Sequence, residues 1–200
     1  MHMGCQKYSA GFGVRIHEDA LGEPAKWRKP RLVFVNSMSD LFHEDVPTDF
    51  ITQVFEVMHA HPQHIFQILT KREGRLRALS SKLEWGAHMW QGVTVEHADY
   101  AGRIDVLRGI TAKVKFISFE PLLSDMGLVD LTGVQWAIVG GESGPRARPM
   151  HEKWVLLLKE QCETQHVLFY FKQWGGVNKK RTGRELLGST WNDMPDVGSL

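Results

Sequence analysis

A chain of 200 residues, 42% hydrophobic and 24% charged, is one domain in size and can bury about 70% of its unfolded surface in a single core; disordered, collagen-like and coiled-coil classes are excluded. Lys and Arg number 24 against 23 Asp and Glu, so a formal charge of +1 supplies no global basic field for nucleic acid. Two cysteines, Cys5 and Cys162, make neither a disulfide framework nor a four-cysteine metal site, and with no signal-like start and no run of about 20 apolar residues a cytoplasmic protein without a membrane partner is expected.

Residues 1–30 hold Gly4, Gly11, Gly13 and Gly22 and read as irregular. Residues 31–35 (RLVFV) read as the first strand, and 47–61 as a helix with the apolar stripe Phe50, Ile51, Val54, Phe55 and Met58. Residues 65–69 (IFQIL) give a second strand, followed by a short helix marked by Leu76, Leu79 and Leu83. Residues 90–95 (WQGVTV) form a weaker strand, interrupted by Gly92; the next helix, 97–110, carries Tyr100, Ile104 and Leu107 on its inward face. Strands at 114–118 (VKFIS) and 135–139 (QWAIV) flank a crossover, 121–133, that lacks a full helix. A helix at 150–165 turns Trp154, Val155, Leu158 and Cys162 inward, residues 166–171 (HVLFYF) make the last strand, and a tail from 175 to 200 packs across one end as a short hairpin or loop.

Nearly continuous apolar strands suit a parallel sheet covered on both faces, and six βα units in sequence suit a partial (β/α) barrel of one α/β domain. Chemistry in such folds gathers at the carboxyl ends of the strands. There the sequence is polar: Asn36, Ser37, Ser39 and Asp40; Thr70, Lys71 and Arg72; Thr94 and Glu96; Glu120; Gly140, Gly141, Glu142 and Ser143; Lys172 and Gln173. One mouth ringed by Asp40, Lys71, Arg72, Glu96, Glu120, Glu142 and Lys172 suits a zwitterionic or phosphorylated ligand. Each residue has a bland alternative, such as Glu96 or Asp40 capping a helix or turn. The GGESG run at 140–144 is not a dinucleotide fingerprint, yet its glycines allow close backbone approach and its turn N–H groups can cradle an anion. His43, Glu44 and Asp45 are adjacent and point apart, so no metal is assigned. Arg146, Arg148, Lys179, Lys180, Arg181 and Arg184 read as a solvated basic face more than a nucleic-acid rim.

The strings WRKPRLVFVNSMSDLFHEDVP (27–47), FQILTKR (66–72), FISFEPLL (116–123), AIVGGESGPRARPMH (137–151) and FYFKQWGG (169–176) resemble an uncharacterised family of proteins found in phages, prophages and bacteria. The resemblance runs from about residue 8 to about residue 195. Longer members carry, ahead of the segment matching residue 8, a strand and a three-cysteine loop similar to the cluster loop of radical S-adenosylmethionine enzymes. In those enzymes three thiolates hold a [4Fe–4S] cluster whose open iron binds the cofactor's methionyl group.

The resemblance implies a partial TIM-like (β/α) barrel without the family's first strand and cluster loop, or else a chain that begins at an internal start codon or expression boundary of a longer gene. S-adenosylmethionine or another nucleotide-like ligand is then expected in the mouth. Glu120, Glu142 and Lys172 would hold its polar groups; Asn36, Ser37, Ser39, Asp40, Thr70, Lys71, Glu96, Gly140, Gly141, Ser143 and Gln173 would line the site. Two other readings stay open: a metal-independent hydrolase or lyase with Glu120 or Glu142 as base and Lys71 or Lys172 stabilising negative charge, or a non-catalytic phage or host interaction module. A missing first strand would also bare the edge at Leu32 and Phe34, imperfectly covered by residues 1–22 and prone to self-association.

Overall fold

The computed structural model describes residues 13–36 and 39–196. Apolar runs rich in Val, Ile and Phe fit a pleated surface buried on both faces, and each becomes a strand: β1 (Leu32–Val35), β2 (Ile65–Thr70), β3 (Met89–Thr94), β4 (Val114–Phe119), β5 (Trp136–Gly140) and β6 (Leu168–Gln173). All five pairings are parallel and the spatial order equals the chain order. The sheet curls into a half-barrel with its helices interleaved: α1 (Thr48–His59), α2 (Glu73–Ser80), α3 (Gly102–Arg108), α4 (Glu152–Thr164) and the short α5 (Lys179–Thr182).

Side-chain alternation divides the core in two. The convex face packs Phe66, Ile68, Met89, Val93, Ile117, Val139, Phe169 and Phe171 against Ile51, Phe55 and Met58 of α1 and against Val155, Leu158 and Cys162 of α4. The concave face carries Ile65, Trp90, Phe116 and Trp136, with Ile138 and Tyr170 beside them. Gly92, the residue that weakens β3 as a pattern, lies on this face opposite Phe116; a Cβ there would sit 2.4 Å from the Phe116 ring. The glycine makes room for an aromatic floor.

The helix-free crossover is ordered by two glutamines, Gln161 of α4 and Gln165 at its C-cap, acting as a substitute backbone. Gln161 accepts from Val129 N–H (2.7 Å) and donates to Gly127 C=O (2.9 Å); Gln165 accepts from Leu131 N–H (2.7 Å) and donates to Val129 C=O (3.0 Å). Buried Val129 and Leu131 thus reach the core without orphaned peptide groups.

The sheet's two edges differ. Along β6 the tail adds an antiparallel bridge, Tyr170 to Asn192, and Phe171 N–H donates to Trp191 C=O at 3.0 Å. The chain then wraps from the convex side, where Trp191 meets Phe169, to the concave side, where the Trp136 indole donates to Asp193 C=O and Met194 joins the aromatic cluster. On β1, by contrast, no strand among the described residues pairs with the outer edge, and Leu32 and Phe34 are 40% and 43% exposed. Of the segment expected over that edge, residues 1–12 lie outside the described residues and 18–22 form a 3-10 turn against α1; just beyond it, Pro24 C=O lies 3.3 Å from the buried His64 ring.

One helix departs from expectation. The pattern over 97–110 splits into a 3-10 turn, Ala98–Tyr100, and α3, because the His97 ring accepts from Asp99 N–H and starts a separate turn. Tyr100 therefore leaves the inward stripe and is 44% exposed. Its ring lies on the guanidinium of Arg103, 4.2 Å from ring centroid to Cζ.

Candidate functional site

Parallel strands in sequential order bring every βα loop to one end, so the site assembles from six separate stretches of chain. At its first corner Asn36 ends β1 at φ 57°, a left-handed turn that asparagine tolerates, and its carbonyl accepts from Ser39 N–H at 3.1 Å. Ser37 lies outside the described residues; Asn36 and Ser39 are exposed at the rim. Asp40 turns back into the fold. Its carboxylate accepts from Phe42 N–H (2.9 Å), Thr70 Oγ1 (2.7 Å) and Lys71 N–H (2.9 Å), which ties the loop after β1 to the end of β2. Asp40 and Thr70 thereby fix where Lys71 emerges.

Lys71 reaches Glu96 at the end of β3 with an Nζ–Oε1 distance of 2.8 Å. The other Glu96 oxygen accepts from Arg103 Nη1 at 2.9 Å, and Arg103 also donates to Thr94 C=O (2.7 Å) and Glu73 (3.2 Å). Burial works to raise the Glu96 carboxyl, but the hydrogen bond from Lys71, a backbone hydrogen bond and the two nearby cations outweigh it and hold the group below its ordinary value. Glu96 stays ionised.

Across the mouth, Glu120 of the loop after β4 pairs with Lys172 of β6 at 3.2 Å, although β5 runs between them. Gly140 permits it. A Cβ at Gly140 would lie 2.6 Å from Glu120 Oε1 and 3.4 Å from Lys172 Cβ, so the ion pair spans β5 over the one residue that has no side chain. Ser118 Oγ donates to Glu120 at 3.2 Å, and the peptide between Glu120 and Pro121 is cis.

The GGESG stretch serves backbone pairing. Gly141 N–H donates to Gln173 C=O, Gly144 N–H to Gly176 C=O, and Gly176 N–H to Glu142 C=O at 2.7 Å, so these donors are engaged by protein. The Gln173 amide donates to Ser143 Oγ at 2.8 Å. Glu142 does not join Glu120 and Lys172 in a hydrogen-bonded trio; it grips Arg148 of its own loop, accepting from Nε (2.8 Å), Nη2 (2.8 Å) and the backbone N–H (2.9 Å). The Arg148 side chain and backbone N–H together hold the Glu142 carboxyl down to about 2, which disqualifies it as a base near neutral pH.

Two cavities open here. One of about 350 Å3 is lined by Lys71, Glu96, His97, Asp99, Tyr100, Pro121, Leu123 and Arg148; another of about 340 Å3 lies within the 142–147 loop. Tyr100, Arg103 and the placement of Arg148 escape sequence reasoning: the first two look like ordinary helix residues, and Arg148 like part of a solvated face. Nothing in the periodicity links them, because Glu96 lies ahead of the 3-10 turn and of α3, and Arg148 belongs to a different loop.

Cys162, the second cysteine, is buried on α4, and burial pushes its thiol up to about 12, so it is neither nucleophile nor thiolate ligand. Cys5 lies outside the described residues. A three-thiolate cluster set does not fit two cysteines, and no step through such a cluster is assigned to residues of this chain.

A family model described as a protein of unknown function, DUF5131, matches residues 2–195, and the chain belongs to that family. No curated protein and no solved structure matches the chain.

Proposed function

We propose that this DUF5131 member is a radical S-adenosylmethionine-like half-barrel of the phage and prophage type whose mouth, at the carboxyl ends of the strands, binds S-adenosylmethionine or a close amino-acid-bearing analogue. The observation that carries the reading is the Glu120–Lys172 pair, a carboxylate and an ammonium 3.2 Å apart on the mouth wall, spanning Gly140. An α-amino acid presents an ammonium and a carboxylate on one carbon. Glu120 faces the first and Lys172 the second, so the ligand exchanges one ion pair for two charge-assisted contacts. Half-exposed Lys172 can move to do this, whereas Glu120 is held by Ser118. The resemblance of 116–123 and 137–151 to the family's strings supports the choice of ligand.

Calorimetric titration tests it. S-adenosylmethionine should bind with a dissociation constant of about 1 μM to 1 mM, the range in which enzyme KM values fall, and Glu120→Gln and Lys172→Met should each weaken it at least about tenfold by removing a charge-assisted contact. No binding at millimolar ligand by folded protein would contradict the reading and favour an interaction module; undiminished binding by both variants would contradict the assignment of the ligand to Glu120 and Lys172.

A further inference from the structure

The cavity beside the mouth has hydrogen-bond donors to spare and few acceptors. Lys71 Nζ donates once, to Glu96, and retains two N–H groups. Arg148 gives Nε and Nη2 to Glu142, and among the described residues nothing accepts from its Nη1. Among those residues the Tyr100 hydroxyl and His97 Nε2 also have no partner. On the acceptor side, both Glu96 oxygens already receive cations, and Asp99 faces the His97 ring at 3.2 Å. Such an imbalance suits an anion.

The remaining walls are apolar and partly planar: the exposed Tyr100 ring with Pro121 and Leu123. One face of that ring is backed by Arg103, whose side chain is only 11% exposed and whose guanidinium is fixed by Glu73, Glu96 and Thr94 C=O. A cation behind the ring draws π-density away from the open face, which favours stacking of an electron-rich heterocycle. The volume, about 350 Å3, lies in the range of small-molecule sites.

We infer that this cavity binds a nucleoside monophosphate, with the phosphate between Lys71 and Arg148 and the base stacked on Tyr100. The site shares no residue with the Glu120–Lys172 wall and stands independently of the ligand proposed there. Arg148 binds without leaving Glu142, since the phosphate takes Nη1 while Glu142 keeps the other two donors; the ion pair is what aims the free edge into the cavity.

Calorimetry with AMP, adenosine, ribose 5-phosphate and inorganic phosphate tests the assignment. AMP should bind at least about tenfold more tightly than any of the fragments, since base and phosphate are both recognised. Tyr100→Ala should bring AMP to the level of ribose 5-phosphate and leave ribose 5-phosphate unchanged; Arg148→Gln should weaken AMP about tenfold or more and leave adenosine unchanged. Should Arg148→Gln fail to fold, Lys71→Gln carries the same arm, and exposed Tyr100 is free of that risk. The inference is overturned if adenosine or ribose 5-phosphate binds as well as AMP, if the variants bind AMP like the parent protein, or if AMP does not bind. S-adenosylmethionine separates the two sites: unaltered binding to Tyr100→Ala alongside lost AMP supports a second site, whereas loss of both places the ring in the mouth ligand's site and overturns it.

Discussion

Gly141→Ala is expected to destabilise the protein by about 3 kcal/mol, the upper end for forcing a methyl into packed structure, as measured by urea unfolding. A Cβ at Gly141 would lie 2.0 Å from Trp174 C=O and 2.7 Å from its carbonyl carbon. Those atoms are backbone in a strand-end loop, and they cannot rotate away as a side chain would. Gly175 packs reciprocally, its Cβ position 2.2 Å from Glu142 C=O at φ 80°. The loops after β5 and β6 therefore touch main chain to main chain, and Glu142, hence Arg148, is positioned by that contact. Gly74→Ala is the control: it sits in α2 with nothing within 4 Å of its Cβ position, and it should stabilise by about 0.5–1 kcal/mol through helix propensity. A Gly141→Ala protein as stable as the parent would refute the close-approach account.

Arg103→Met carries the second large effect, about 2–3 kcal/mol. Removing one partner of a buried ion pair costs about 3–5 kcal/mol; Lys71 still serves Glu96 in the variant, which lowers the expectation. The lost guanidinium holds two carboxylates and the Thr94 carbonyl and carries the Tyr100 ring, so Lys at this position should not restore stability, having no fork with which to reach both acids. The pH dependence has a definite sign. The folded pKa of Glu96 lies below its reference value of 4.5, so its ionic contribution is complete above that pH and is lost as pH falls through the folded value. The difference between Arg103→Met and the parent should be full at pH 7 and shrink as the pH falls below 4.5. A difference that is constant with pH would mean that Arg103 acts through packing alone.

The half-barrel was legible because its signal is repeated. Six apolar runs at βα spacing, each followed by polar residues, admit few topologies, and parallel order follows from the crossovers. Glu120 and Lys172 could be assigned to one mouth for the same reason, although nothing in the sequence says that Gly140 is the gap that lets them meet. Local pairings were less visible. Glu142 follows its strand like Glu120 does, yet it closes on Arg148 six residues later, a choice made by loop geometry and not by strand end. Asp40 looks like a ligand residue and is saturated by Phe42, Thr70 and Lys71. Tyr100 matched a helical stripe, and a three-residue 3-10 turn was enough to bring it to the surface. Periodicity reports which face is buried, but a single change of helix type shifts the face for every residue before it.

Backbone amide NMR of the labelled protein during titration with S-adenosylmethionine tests most directly whether the mouth is the ligand site. The account predicts that shifts concentrate at the carboxyl ends of the strands that form the Glu120–Lys172 wall, at Ser118, Glu120, Gly140 and Lys172, and leave the opposite ends at Ile65, Met89 and Val114 unmoved. Shifts confined to those opposite ends or to the exposed edge of β1, or no shifts at saturating ligand, would contradict it.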